Sequence, residues 1–463
     1  MIGPKVQSPP SARNFAEGPL LWQLVCFSLP LFSSMLLQLT FHAADLIVVG
    51  RYASAQAMAA VGSTSALAHL FINVLLGLST GAAVVAAQSF GAKDYARLDK
   101  AIHTAMLLAV LGGALMGGAG VLLARSMLRL MKAPEGIIDQ STLYMRIFLA
   151  GTPFLTLYNF GSAILRSLGD TRRPMLYLMV AGVVNVILNL VFVICFKMDV
   201  AGVALATMAS QGLSALLVCL ALRRGDAPYR LRLSGLRLHP QELRRILRIG
   251  LPSGFQGSLF TLSNVVIQSY VNSLGEIVVA GNAAVQSMEG LPYLGSYCFF
   301  HASLTFVGQN YGAKNLARIR RSILHSCWLG AVICLTIGLV LFIFGEQVLS
   351  IYKLTPEMMR FGLERMAILY TTYWLCSLMD TVSGSLRGLG YSFFPAVSIL
   401  LSVCALRVAW CATVFRHYRT FASILCSYPL SWFLAALVNG IFLAWLLRRR
   451  VAAEFGNPCR QGG

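Results

Sequence analysis

Three acidic side chains fall well inside long apolar stretches of this 463-residue chain: Asp45, Glu289 and Asp380. A charge placed in hydrocarbon costs ~2.5–3.5 kcal/mol on insertion scales, so such residues face a cavity, a partner or an ion. Asp45 lies in LTFHAADLIVVG, downstream of Pro30. Asn185 and Asn189, in VVNVILNLVF, are spaced i, i+4, which puts both on one face of a helix. Thr207 belongs to VALATMAS and Asn159 to LYNFGSAIL. Together they offer one carboxylate with amide and hydroxyl oxygens. That donor set suits a hard cation such as Na+, and a lone buried carboxylate can equally carry a proton. The candidate ion or proton site is therefore Asp45, Asn159, Asn185, Asn189 and Thr207, with Asp45, Asn185, Asn189 and Thr207 as its Na+ ligands. The competing reading is that the amides and hydroxyls only tie helices together, at ~0.6 kcal/mol each.

A second polar group follows in the other half of the chain. Glu289 stands in QSMEGLPY, Asp380 in LCSLMDTVSGSLRG and Arg407 in VCALRVAW, with Gln268 and His301 in neighbouring apolar stretches. One of the two carboxylates is expected to pair with Arg407, because an isolated buried charge is far more costly. Gly290 and Pro292 beside Glu289 predict a locally broken helix. Arg407 reads as the only cation well inside a span.

The elements that must position these groups are membrane helices. Of the residues 57% are hydrophobic and 12% charged, against soluble averages of ~45–50% and ~25%. Twelve apolar stretches reach the ~20 residues of a bilayer span, six in each half. The halves are related by a repeat: SFGAKDYARLDKAI at 89–102 returns as NYGAKNLARIRRSI at 310–323, and LRSLGDTRRP at 165–174 as LRGLGYSFFP at 386–395. Both offsets are 221 residues (310 − 89 and 386 − 165). An even number of spans per repeat makes it a parallel one, as in transporters built from two bundles. The expected architecture is an all-α membrane protein of twelve transmembrane helices in two pseudo-symmetric six-helix lobes. Its parts are an N-terminal tail (1–19), an N-terminal lobe (20–222), a basic linker (223–245), a C-terminal lobe (246–450) and a C-terminal tail (451–463).

Charge supplies orientation and removes other classes of function. Lys and Arg number 37 against 17 Asp and Glu, concentrated in every second connection. Both termini are then cytoplasmic under the positive-inside rule. A nucleic-acid surface needs a contiguous basic patch, which this scatter does not give. The linker reads as a solvated connection whose QELRR opens an amphipathic helix. Gly113 and Gly117 read as a small-xxx-small packing pair. The N-terminus has no cleavable signal pattern. The eleven cysteines form neither a disulfide framework nor a CxxC pair, and no HExxH, GxSxG or Walker A string is present. No catalytic set and no cofactor is expected, so uphill movement has to be driven by an ion gradient.

The strings SLPLFSSMLLQ, DLIVVGRY, SFGAKDYARL, NFGSAILRSLGDTRRP, NVILNLVFVI, TFVGQNYGAK and SGSLRGLGY run through both halves. In them the chain resembles multidrug and toxic compound extrusion (MATE) transporters, in particular a bacterial DNA-damage-inducible-like branch. The resemblance implies a secondary active antiporter of the cell membrane. It would export drug-like, cationic or amphipathic small molecules in exchange for Na+ or H+ by alternating access, as a monomer whose partners are substrate, ion and bilayer. It further implies that Asp45 is the first-helix acid of the amino-terminal lobe and that Pro30 marks the bend of that helix. Relatives with the fullest cation site carry a second acid where this chain has Asn189, and the helix-seven acid of another branch is absent from FTLSNVV. The alternative is an exporter or flippase of a lipid-linked or polar metabolite, which would need a cationic cavity.

Overall fold

The structure, a computed structural model, describes residues 14–52, 55–131, 134–224 and 230–456, and only some of the side chains between 42 and 69. The tail before residue 14, the linker residues 225–229 and the tail from 457 lie outside the described residues. All described secondary structure is helical. Helices α1 (Leu20–Tyr52), α2 (Ala55–Gly91), α3 (Tyr95–Leu130), α4 (Ile138–Ala150), α5 (Thr152–Ser167), α6 (Arg172–Leu190) and α7 (Asp199–Arg223) make up the first half. The second half holds α8 (Pro240–Asn272), α9 (Glu276–Met288), α10 (Gly290–Gly312), α11 (Leu316–Ile343), the short α12 (Gly345–Ser350) and α13 (Pro356–Arg365). It continues with α14 (Tyr373–Gly388), α15 (Phe393–Ile399), α16 (Leu406–His417), α17 (Phe421–Leu446) and α18 (Ala452–Gly456).

Among the described residues, eight stretches are long and apolar enough to cross a bilayer alone, and α4 with α5, bent by 43°, make a ninth. Three further columns are more polar for identifiable reasons. Helix α8 opens on PQELRR, α9 and α10 are broken at Glu289, and α13–α14 carries Arg365 and Asp380. With these the fold has twelve transmembrane helices, six from each half. Wide π-helical turns at Val191–Cys195, Met366–Tyr370 and Leu400–Ala405 interrupt three of the columns.

The repeated loop motifs have a backbone reason. Lys93 and Lys314 take left-handed conformations, with φ of 57° and 56°. Each follows a helix end, and the next residue, Asp94 or Asn315, caps the following helix by accepting from the N–H of Arg97 or Arg318. A helix stop, a left-handed residue and an N-cap in succession fold the chain back within a few residues. Gly169 and Gly390 supply the left-handed residue at the second motif, at φ of 89° and 91°.

By internal contacts the chain forms two compact units. Unit 1 comprises the segment ending at Glu17 and Leu29–Gly254; unit 2 comprises Gly18–Ser28 and Phe255–Gly463. The division runs through α1 two residues before Pro30 and through α8 two residues after Pro252. Both prolines lie inside their helices, where a missing N–H removes one backbone hydrogen bond.

Within unit 1 the opening of α8 packs tightly on α2. A Cβ added at Gly77 would fall 2.1 Å from the Gly254 nitrogen, and one at Gly81 2.3 Å from the Ile246 carbonyl oxygen. Gly113 and Gly117 let α3 approach α4 and α5 in the same way, at 2.3 Å from Thr156 Oγ1 and 2.6 Å from the Leu149 oxygen. The described part of the linker is docked rather than solvated throughout. Its Arg232 N–H donates to His103 Nε2 at 3.0 Å, and buried Glu242 takes Arg97 at 3.2 Å and Arg245 at 3.5 Å. His103 and Arg97 are on α3, far from the linker in the chain.

Candidate functional site

In unit 1 the structure joins α1, α6 and α7 through one chain of polar contacts. Asn189 Nδ2 donates to Asp45 Oδ1 at 2.6 Å and to Asn185 Oδ1 at 3.3 Å. Asn185 Nδ2 continues to Ser210 Oγ at 3.3 Å, and Ser210 donates to the Thr207 carbonyl at 2.9 Å. The i, i+4 spacing on α6 is what lets one amide reach both Asp45 and Asn185. Asn189 is fully buried, and its Oδ1 has no hydrogen-bond partner among the described residues. A buried oxygen without a donor, beside a carboxylate and a second amide oxygen, is an arrangement that accepts a cation.

Two of the expected ligands make no side-chain hydrogen bond to this group. Thr207 directs its hydroxyl to the Val203 carbonyl of its own helix at 3.0 Å, and Asn159 on α5 donates to the Leu155 carbonyl at 2.9 Å. Both bonds are local, and neither joins the Asp45 chain. Two further residues belong near it. Ser210 follows Thr207 by three positions, the helical spacing that could have signalled it. Tyr144 of α4 packs against Val193 and Val203, which flank this group, and stacks on Phe148 at 6.1 Å. No sequence pattern marks Tyr144.

Unit 2 corrects the expected pairing of its charges. Glu289 binds Arg365, through Arg365 Nε at 3.1 Å and also through Nη2, rather than Arg407. Arg365 Nη1 reaches Asn282 Oδ1 at 2.5 Å, and Asn282 Nδ2 reaches Gln268 Oε1 at 3.4 Å. Gln268 is thereby tied to the pair at one remove. Glu289 can do this because the helix breaks at its own position, between α9 and α10. Asp380 takes Ser296 Oγ at 2.6 Å. His301 stacks edge-on with Tyr297 at 4.6 Å and Phe300 at 5.1 Å.

Nor is Arg407 the only buried cation. Arg365 and Arg387 are buried too, at 3% and 6% exposure. Arg387 bonds Gln256 Oε1 at 2.6 Å and lies 5.2 Å from the Phe300 ring centre. Arg407 itself donates from Nε to Ser431 Oγ at 2.8 Å, with the Tyr428 ring centre 4.0 Å from its guanidinium carbon. Among the described residues no ion pair to Arg407 is formed, because both acids that were candidates for it are engaged elsewhere.

Among the described residues no three His, Cys, Asp or Glu side chains converge as a metal-binding group. The donors around Asp45 are all oxygens, a set that suits a hard cation or a proton.

Comparison with known proteins agrees with this architecture. The MatE family profile matches the chain twice, over residues 30–191 and 252–413. "Probable multidrug resistance protein YpnP" of Bacillus subtilis is 29% identical over 403 residues, 87% of this chain and 90% of that one. A "FAD transporter" of Shewanella oneidensis is 22% identical over 402 residues, 85% of this chain and 87% of that one. The fold is similar to a crystal structure of MATE in the bent conformation, with a TM-score of 0.88 at 21% identity, covering 97% of this chain and all of the other.

Proposed function

Given that the chain belongs to the MatE family of membrane transporters, we propose that it is a secondary antiporter driven by Na+ or H+. It exports drug-like, cationic or amphipathic small molecules by alternating access. The protein is a multi-pass membrane transporter and not an enzyme. In the proposed reading it resides in the cell membrane as a monomer with both termini in the cytoplasm, and its halves, 20–222 and 246–450, act as the two lobes.

The observation that carries the coupling assignment is the Asp45–Asn189–Asn185 chain with the unpartnered Asn189 Oδ1. An ion or proton arriving at Asp45 would replace the Asn189 N–H as its partner. Asn189 Oδ1, already without a donor among the described residues, would then be available to a cation, and Asn185 Oδ1 would be once the Asn189 N–H turns away. Asp45, Asn185 and Asn189, linked directly by hydrogen bonds, form the inner set. Pro30, upstream on the same helix, supplies a position at which α1 can bend without breaking a backbone hydrogen bond.

Asp45→Asn should abolish gradient-driven ethidium efflux from proteoliposomes, since the single acid of this cluster is lost. Efflux at the unaltered rate would refute the assignment. Replacing Na+ by choline at fixed pH, and varying pH at fixed Na+, identifies the ion.

A second reading keeps some support. Arg387 is buried with its Nε unpartnered among the described residues, and the Shewanella relative is named for an anionic dinucleotide. Exchange of a polar metabolite would use such a group. Dinucleotide uptake into the same proteoliposomes, with ethidium unmoved, would establish that reading over drug export.

A further inference from the structure

We infer that the Arg407 guanidinium is a built-in cation, standing in unit 2 where unit 1 takes up a mobile one. The inference rests on the coupling reading of Asp45 and compares each unit internally. The fifth column of unit 1 begins at Arg172 and that of unit 2 at Phe393, an offset of 221. The π-helical turn Leu400–Ala405 then inserts about one extra residue, which moves later positions to an offset of 222. The two family matches are 222 apart throughout, beginning at 30 and 252 and ending at 191 and 413. On that register Asn185 corresponds to Arg407 (407 − 185 = 222).

The hydrogen bonds repeat accordingly. In unit 1, Asn185 donates to Ser210, which donates to the carbonyl of Thr207. In unit 2, Arg407 donates to Ser431, which donates to the carbonyl of Tyr428 at 2.7 Å. The π-helical turn Val191–Cys195 of unit 1 then restores the offset of 221, on which Ser431 and Tyr428 are the counterparts of Ser210 and Thr207 (431 − 210 and 428 − 207). The same serine on the same pair of helices therefore holds a neutral amide in one unit and a guanidinium in the other.

What surrounds that position has changed in step. The counterparts of Asp45 at the two offsets are Val266 and Ile267, and Ile267 is buried and apolar. In place of a carboxylate the guanidinium meets ring faces, with Tyr428 at 4.0 Å, Trp432 at 5.6 Å and Phe260 at 6.0 Å. Ring faces recognise positive charge and are indifferent to hydrogen-bond geometry. Arg407 Nη2 has no acceptor among the described residues, so hydrogen bonding alone does not account for an arginine here. Unit 2 thus keeps a cation in its pocket permanently, and the mobile cation binds at this position once per chain.

The test is chemical rescue, read on the purified full-length protein without substrate or gradient. Arg407→Ala should lower the thermal midpoint in detergent. Millimolar guanidinium should recover most of the loss, with no effect on wild type and none from equal sodium chloride or urea. Arg407→Gln, which keeps a donor for Ser431 but no charge, should melt like the alanine variant. It serves as the sole variant if the alanine protein does not accumulate, with guanidinium again raising its midpoint. A wild-type midpoint for Arg407→Gln, or no more recovery from guanidinium than from sodium, would overturn the inference. Because the readout involves no transport, its failure is separable from that of the coupling reading, which retained efflux by Asp45→Asn would overturn.

Discussion

At the scale of single residues, the chemistry of unit 1 comes down to one carboxylate and two amides on a shared helix face. Asn189 lies 2.6 Å from Asp45, so Asn189→Asp would set two acids against each other and favour a bound cation. If Na+ is the coupling ion, the Na+ concentration for half-maximal efflux should fall about tenfold, equivalent to ~1.4 kcal/mol. An unchanged Na+ dependence in the efflux assay would argue that the acid carries a proton. In unit 2 the critical pair is Glu289 and Arg365, of which Arg365 is 3% exposed. Glu289→Gln leaves that guanidinium uncompensated and should cost roughly 3–5 kcal/mol, seen as a marked drop in thermal midpoint. Adding Arg365→Met should recover much of it, since removing both charges is cheaper than orphaning one. A double variant no more stable than Glu289→Gln would show that the pair is not the source of the loss.

The helices owe their positions to short signals that recur in both halves. Asp94 and Asn315 cap α3 and α11 in the same geometry, one residue after a left-handed lysine. Asp94→Ala should therefore destabilise the protein by ~1 kcal/mol, and Asn315→Ala by a similar amount, measured by thermal unfolding. Gly113 is a more demanding position, because a Cβ there would fall 2.3 Å from Thr156 Oγ1 and 2.8 Å from the Pro153 Cα. Gly113→Leu should push α3 off α5 and cost more than either cap, with the amount of folded protein recovered from membranes as the readout. Equal recovery of Gly113→Leu and wild type would show that the packing is looser than the geometry states.

At the scale of the whole molecule, each unit contains a helix segment from the other half of the sequence. Residues up to Gly254 close unit 1, and Gly18–Ser28 belong to unit 2. A chain cut within 225–229 should then be unstable as separate halves. The first half alone lacks the α8 opening that packs against Gly77 and Gly81, and co-expression of both pieces should restore it. The measurement is protease resistance of each half in membranes, expressed alone and together. A first half that is fully resistant by itself would refute the dependence.

Much of this was present in the sequence, for physical reasons that are local. Apolar length gave the membrane helices, since each span must satisfy its own backbone. The repeat gave two six-helix halves, and its loop motifs survive because left-handed turns and caps tolerate few residue types. The i, i+4 spacing of Asn185 and Asn189 was enough to place both on one face. What no local signal carried is which helix faces which. Only the tertiary structure gave Glu289 to Arg365 rather than to Arg407, gave the Thr207 hydroxyl and the Asn159 amide local backbone acceptors, joined Ser210 to the Asn185 amide and packed Tyr144 against Val193 and Val203. It also docked the linker on α3 and exchanged the openings of α1 and α8 between units. Asp45 and Asn189 meet across 144 residues of chain, and such contacts are fixed by packing, which hydropathy and spacing do not record.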